Sequence, residues 1–159
     1  MSLMISILAD QIIDINMVNS KQLQVGNETE EIIADFFTKK GYYPLIIPKK
    51  VTGQPFDIVA CKGKKEAWLV DAKHLSKTEA SFSFDRIEPN QLTSMMIASN
   101  FYGMNNVGFV IKWDRDESRL FLLRYEDLLV MKKNGQKSVK IELLEDFEVV
   151  LNNDESNDK

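Results

Sequence analysis

Phe56-Asp57-Ile58-Val59-Ala60-Cys61-Lys62-Gly63-Lys64-Lys65-Glu66-Ala67-Trp68-Leu69-Val70-Asp71-Ala72-Lys73 is the stretch on which the reading of this chain turns. Two short, mostly apolar runs, Phe56–Cys61 and Glu66–Ala72, are joined by Lys62-Gly63-Lys64-Lys65, which signals an antiparallel hairpin. Apolar side chains fall on both faces of each run, as in central strands covered on both sides. With the turn centred on Lys64, Asp57 and Asp71 stand at equal distances before and after it. Regular pairing then sets the two acids face to face, with Cβ atoms about 5 Å apart. Lys73, two residues beyond Asp71, lies on the same face. Facing carboxylates repel each other unless a proton or a cation sits between them. Mg²⁺, a hard cation held by one or two carboxylates plus phosphate oxygens and water, suits that pair. The same residues also admit a plainer reading, with Asp57 as a turn residue and Asp71–Lys73 as a strand-end ion pair.

Outward from the hairpin, the pattern alternates helix and strand. Asn27 is a good N-cap, Glu30 follows three residues later, and Ile32, Ile33, Phe36 and Phe37 give a helical apolar face that Gly41 ends. Tyr43 to Ile47 reads as a strand stopped by Pro48. Pro89 opens a second helix that runs to about Tyr102, with Met95, Met96 and Phe101 as its buried side. Val107–Trp113 and Leu120–Arg124 form a further hairpin, followed by a short helix over Glu126–Lys132 and a weak strand over Val139–Leu143. Residues 1–24 form an N-terminal extension with Ile5, Leu8, Ile12 and Ile15 at near-helical intervals, suited to packing on the domain or on a second copy. Residues 25–151 then make one α/β domain, and 152–159 a disordered acidic tail.

The whole-chain numbers fit one globular domain of 159 residues, 44% hydrophobic and 28% charged. Cys61 is the single cysteine and His74 the single histidine, so neither an internal disulfide nor a structural zinc site can form. No apolar run reaches the roughly 18 residues of a membrane span, and no basic residue precedes Lys21, as a secretory signal would require. A reducing, cytoplasmic setting is expected. The net charge of −4 hides its distribution: Lys39 to Lys140 holds 18 Lys and Arg against 11 Asp and Glu. A basic middle of this kind can attract a polyanion.

Gly26-x-x-x-Glu30 opening a helix, Asp57 starting a strand and Asp71-Ala72-Lys73 ending the next resemble the PD-(D/E)xK nuclease superfamily and, within it, the RecU-type Holliday-junction resolvases. Ala80–Phe84, Asn90-Gln91 and Asn134–Ser138 add to the likeness, which runs from about Val25 to Phe147. The resemblance implies a restriction-endonuclease-like core, a central mixed sheet flanked by helices. It also implies a Mg²⁺-dependent endodeoxyribonuclease, with Mn²⁺ able to substitute, acting in DNA recombination and repair on branched DNA. Asp57, Asp71, Glu30 and the Ala72 carbonyl would hold the metal, Lys73 would act at the attacking water, and Gln91 would hold that water or the phosphate. Lys39, Lys40, Lys49, Lys50 and Arg86 are the phosphate-contact candidates, in loops expected around the acids. Lys62, Lys64 and Lys65 fall about 23 Å away, seven residues of extended chain. A symmetric homodimer follows from the need to cut two strands. Glu30 also fits a capping-box partner of Asn27, Gln91 an ordinary first-turn residue, and His74 a partly buried neutral side chain. Two features depart from the family: Asp71 stands where Glu is commoner, and only Pro48–Pro55 fills the place of the stalk that RecU-type proteins carry. A nuclease on linear or flapped DNA, or an inactive DNA-binding module of this fold, are the alternatives.

Overall fold

A computed structural model of the chain describes residues 28–48, 56–63, 66–102 and 104–155. The expected N-terminal extension, Asn27, Lys49 and Lys50 lie outside the described residues. At the centre is the hairpin. Strand β2 (Ile58–Lys62) runs antiparallel to β3 (Glu66–Leu75), with Ile58 opposite Val70 and Lys62 opposite Glu66. That register is centred on position 64 and ends at Ile58; Asp57, in the bend just before it, donates its N–H to Val70 O and so stays beside the Asp71 end of β3. Gly63, at φ 59°, makes the turn.

Helix α1 (Glu28–Lys39) precedes β1 (Tyr43–Ile46), which pairs with the outer side of β2. The helix ends as Gly41, at φ 81°, donates to Thr38 O while Tyr42 donates to Phe37 O, a glycine C-cap that satisfies two terminal carbonyls. After β3 come β4 (Ser81–Ser83), a 3-10 turn (Phe84–Arg86) and α2 (Pro89–Tyr102). Strand β5 (Val107–Trp113) lies parallel to β3, and β6 (Asp116–Arg124) antiparallel to β5. Helix α3 (Tyr125–Lys133), β7 (Ser138–Lys140), β8 (Glu145–Asp146) and α4 (Phe147–Glu155) complete the order. The six-stranded mixed sheet reads β1-β2-β3-β5-β6-β8, and β4 pairs with β7 in a separate ribbon. Parallel neighbours need a crossover, and the segment from β4 through α2 supplies it.

Each sheet face has its own core. On one, Leu75, Phe109, Ile111 and Leu123 meet Met95 from α2 and Leu128 from α3. On the other, Trp68, Val70, Val110 and Leu122 meet Ile33 and Phe37 from α1 and Phe147 and Leu151 from α4.

Several expectations change. Strand β3 runs to Leu75 because Lys73, His74 and Leu75 pair with Ile111, Lys112 and Trp113. The expected strand over Val139–Leu143 is only β7, after which the chain turns as a 3-10 segment at Ile141–Leu143. The expected disordered tail begins instead as helix: α4 continues to Glu155, its Phe147 packed edge-on against Trp68 and Phe37. Cys61, on the face of β2 away from the buried Ile58 and Ala60, is exposed. Met95 is fully buried, whereas Met96 turns outward at 40% exposure.

Candidate active site

Alternation along β3 places Asp71 and Lys73 on the α2 side of the sheet, the side of Leu69 and Leu75. Asp71 is 2% exposed, and Lys73 Nζ lies 2.7 Å from its Oδ2. Gln91, in the first turn of α2, completes a closed set. Its Nε2 donates to Asp71 Oδ1 at 2.7 Å, and its Oε1 accepts from Lys73 Nζ at 3.2 Å. The same Oε1 accepts the Glu88 N–H at 3.0 Å, the backbone half of a capping box. Helix geometry therefore aims the Gln91 amide at β3. Phe109, opposite Asp71 in the parallel register, lies beneath Lys73, with Nζ 5.8 Å from the ring centroid.

Asp57 sits where β2 gives way to a bend. Its N–H donates to Val70 O, and its Oδ2 accepts the Ala72 N–H at 2.8 Å. One carboxylate oxygen is thereby fixed beside the Asp71–Lys73 segment. Burial first, and then the Asp57 charge, push the Asp71 carboxyl up to about 7, against the opposing pull of Lys73. Asp71 Oδ2 is buried and accepts no hydrogen bond of good geometry; Lys73 Nζ stands 2.7 Å from it, and the Asp57 carboxyl is its acidic neighbour. A buried carboxylate oxygen in that state, beside a second acid, fits a cation. Among the described residues no three His, Cys, Asp or Glu side chains converge on a metal position. A cation here could take only the Asp57–Asp71 pair among the described side chains, an arrangement suited to a metal that leaves its remaining positions to water and phosphate.

The other candidates scatter. Glu30 is buried in the first turn of α1, which packs against the opposite sheet face from Asp71. Arg86 stays near the site, donating to His74 O at 2.7 Å and to Glu79 Oε1 at 3.1 Å, so it ties together the loop after β3. Lys39 and Lys40 require correction. They close α1 at the far end of the sheet, where Lys62 Nζ donates to Lys40 O and Lys40 Nζ pairs with Glu148 at 2.6 Å. The helix runs back from β1, so its C-terminal turn belongs with the hairpin turn and not with the acids. His74 is exposed, its Nε2 2.9 Å from Asp114 Oδ1; with Lys112 it holds the Asp114 carboxyl below its usual range. The sequence reading missed Phe109 and the Glu88 amide; the spacing Glu88-Pro89-Asn90-Gln91 carried a capping signal for the second.

No protein-family model and no curated protein matches the sequence. Among solved structures the chain is similar to Hjc, a Holliday junction resolvase from the archaeal hyperthermophile Archaeoglobus fulgidus. The TM-score is 0.57 at 16% identity, over 79% of this chain and 99% of that one. The likeness establishes the fold: a mixed six-stranded sheet flanked by helices, the restriction-endonuclease-like architecture. Among the described residues no helix is long and apolar enough to cross a membrane.

Proposed function

We propose that this chain is a divalent-metal-dependent endodeoxyribonuclease acting on branched, Holliday-junction-like DNA as a homodimer. The observation that carries the reading is the pair of acids across the β2–β3 hairpin with Lys73 and Gln91 closing on Asp71. The fold match to a resolvase supports the substrate class. Asp57 and Asp71 would hold Mg²⁺ or Mn²⁺, with the Ala72 carbonyl as a further ligand to be tested. The bound metal supplies Lewis-acid charge that polarises a phosphoryl oxygen and acidifies water. The Lys73 ammonium offsets negative charge building on the phosphate in the transition state. Gln91, held at Oε1 by the Glu88 amide, has an amide group placed to orient a water or a phosphate oxygen.

The test is incubation with linear, flapped and four-way DNA, with and without Mg²⁺, for the natural chain and for Asp71→Asn. Four-way DNA should be cut only with metal. Asp71→Asn should abolish cutting and leave binding equal or tighter, since one negative charge beside the phosphate is gone. Undiminished cutting by Asp71→Asn would overturn the site. Faster cutting of flapped or linear DNA would assign the chain to that substrate instead, a reading favoured by the eight residues, Pro48–Pro55, that stand where a stalk would be.

A further inference from the structure

We propose that the β4–β7 ribbon and the α3–β7 turn form a second phosphate-backbone surface, which grips the DNA strand leaving the active site. The proposal rests on the nuclease reading above and assigns a contact surface none of whose residues belongs to that site.

The first observation is charge without partners. From Leu128 to Ile141 the chain carries Lys132, Lys133, Lys137 and Lys140 and no Asp or Glu, in a protein of net charge −4. All four lysines are exposed. Six other Lys and Arg side chains among the described residues pair with carboxylates, but none of these four has a carboxylate within bridging distance or any other unstated partner. Lys132 and Lys133 complement the C-terminal end of α3. That account leaves Lys137 and Lys140 without a reason.

The second observation is the ribbon's outward face. Ser81 stands opposite Lys140, Phe82 opposite Val139, and Ser83 opposite Ser138. Phe82 and Val139 are buried, so alternation turns three serine hydroxyls and the Lys140 ammonium away from the core. Hydroxyls and ammonium groups are donors, which suits phosphate oxygens.

The third is continuity with the site. Phe82 lies 6.2 Å from Phe109, the ring beneath Lys73. Phe84 N–H donates to Lys137 O, and the chain then runs through the 3-10 turn to Glu88, whose amide holds Gln91. The ribbon thus packs on the same sheet face as Asp71, and a duplex seated at the acids has its backbone within reach of the lysines. Its negative charge, one per about 1.7 Å of axis, is the complement that these cations lack.

The experiment measures binding of the full chain to four-way and linear DNA in EDTA across a range of KCl concentrations. Each phosphate contact contributes about 0.9 to the slope of log K against log salt on duplex DNA. The combined variant Lys132→Ala/Lys133→Ala/Lys137→Ala/Lys140→Ala should lower the slope by about 3 to 4. It should weaken binding roughly 10²- to 10³-fold near 0.1 M salt, with an unchanged melting temperature. Should the fourfold variant fold poorly, Lys137→Ala/Lys140→Ala should still lower the slope by about 2. Arg119→Ala, which removes a cation already paired with Asp116, should change it by less than one. Natural-chain binding with an undiminished slope in the folded lysine variant overturns this surface and leaves the nuclease reading standing. No DNA binding by the natural chain overturns both.

Discussion

Asp71 carries the main electrostatic conflict of the molecule. Its carboxyl is buried, faces Asp57, and is answered only by Lys73 and one Gln91 amide N–H. The folded-state value near 7, against 3.8 for an ordinary Asp, makes the native chain bind a proton that the unfolded chain has released. Between those values the unfolded state binds fewer protons, so stability falls as pH rises. The contribution of this group is full below about pH 4 and is lost by about pH 7. In EDTA, Asp71→Asn should therefore be more stable than the natural chain at pH 8, by on the order of 3 kcal/mol. The gap should close toward pH 5, as read from urea unfolding at the two values. Equal stability at pH 8 would mean that the acid is solvated or fully compensated. The same logic explains why a cation suits the site: it removes the repulsion that the proton removes at lower pH.

At the level of elements, Gly108 marks the closest backbone approach at any described glycine, between β5 and β6. A Cβ at Gly108 would stand 2.5 Å from Leu123 O and 3.1 Å from Arg124 Cα, both backbone atoms of the neighbouring strand. Gly108→Ala should force the two central strands apart and cost about 2–4 kcal/mol, measurable as a lowered urea midpoint. An unchanged midpoint would mean that the sheet relaxes there freely. Strand β5 was legible from its run of apolar residues, and the β2–β3 hairpin from two such runs around a Lys-Gly-Lys-Lys turn, which also delivered Asp57, Asp71 and Lys73. Helix α2 was legible because Pro89 at its first position has no N–H to lose. Strands β4 and β8, three and two residues long, are too short to show alternation. Helix α4 hid behind its polar end: Phe147, Val150 and Leu151 are buried, but Asn152, Asn153 and Asp154 read as a tail. Lys40 was misplaced because helical spacing alone does not tell which end of a sheet a helix terminus meets. That took the pairing of β1 with β2 and the Lys62–Lys40 contact.

For the whole molecule the open question is how a chain with so short a β1–β2 connection would choose a junction over a duplex. Only residues 47–57 separate β1 from β2, too few for a protruding arm to enter the centre of a four-way structure. Under the proposed function, recognition would fall to cations along the domain surface and to a pairing of two protomers, whose two-fold axis would match two symmetric cuts. Phosphate contacts position a nucleic acid without reading its sequence, and they lose affinity steeply with salt. The natural chain should bind four-way DNA with a preference over linear duplex that is modest and comes from geometry, from two sites spanning two arms. Raising KCl should weaken both complexes with similar slopes, as measured by titration of the two DNAs across salt concentrations. A junction preference that survives high salt would point to direct reading of the branch point by an element other than the described basic surface. Residues 1–19, which the sequence makes apolar, would then be the first to remove. Linear duplex cut as fast as junctions would instead show that the fold and its acids serve a general nuclease.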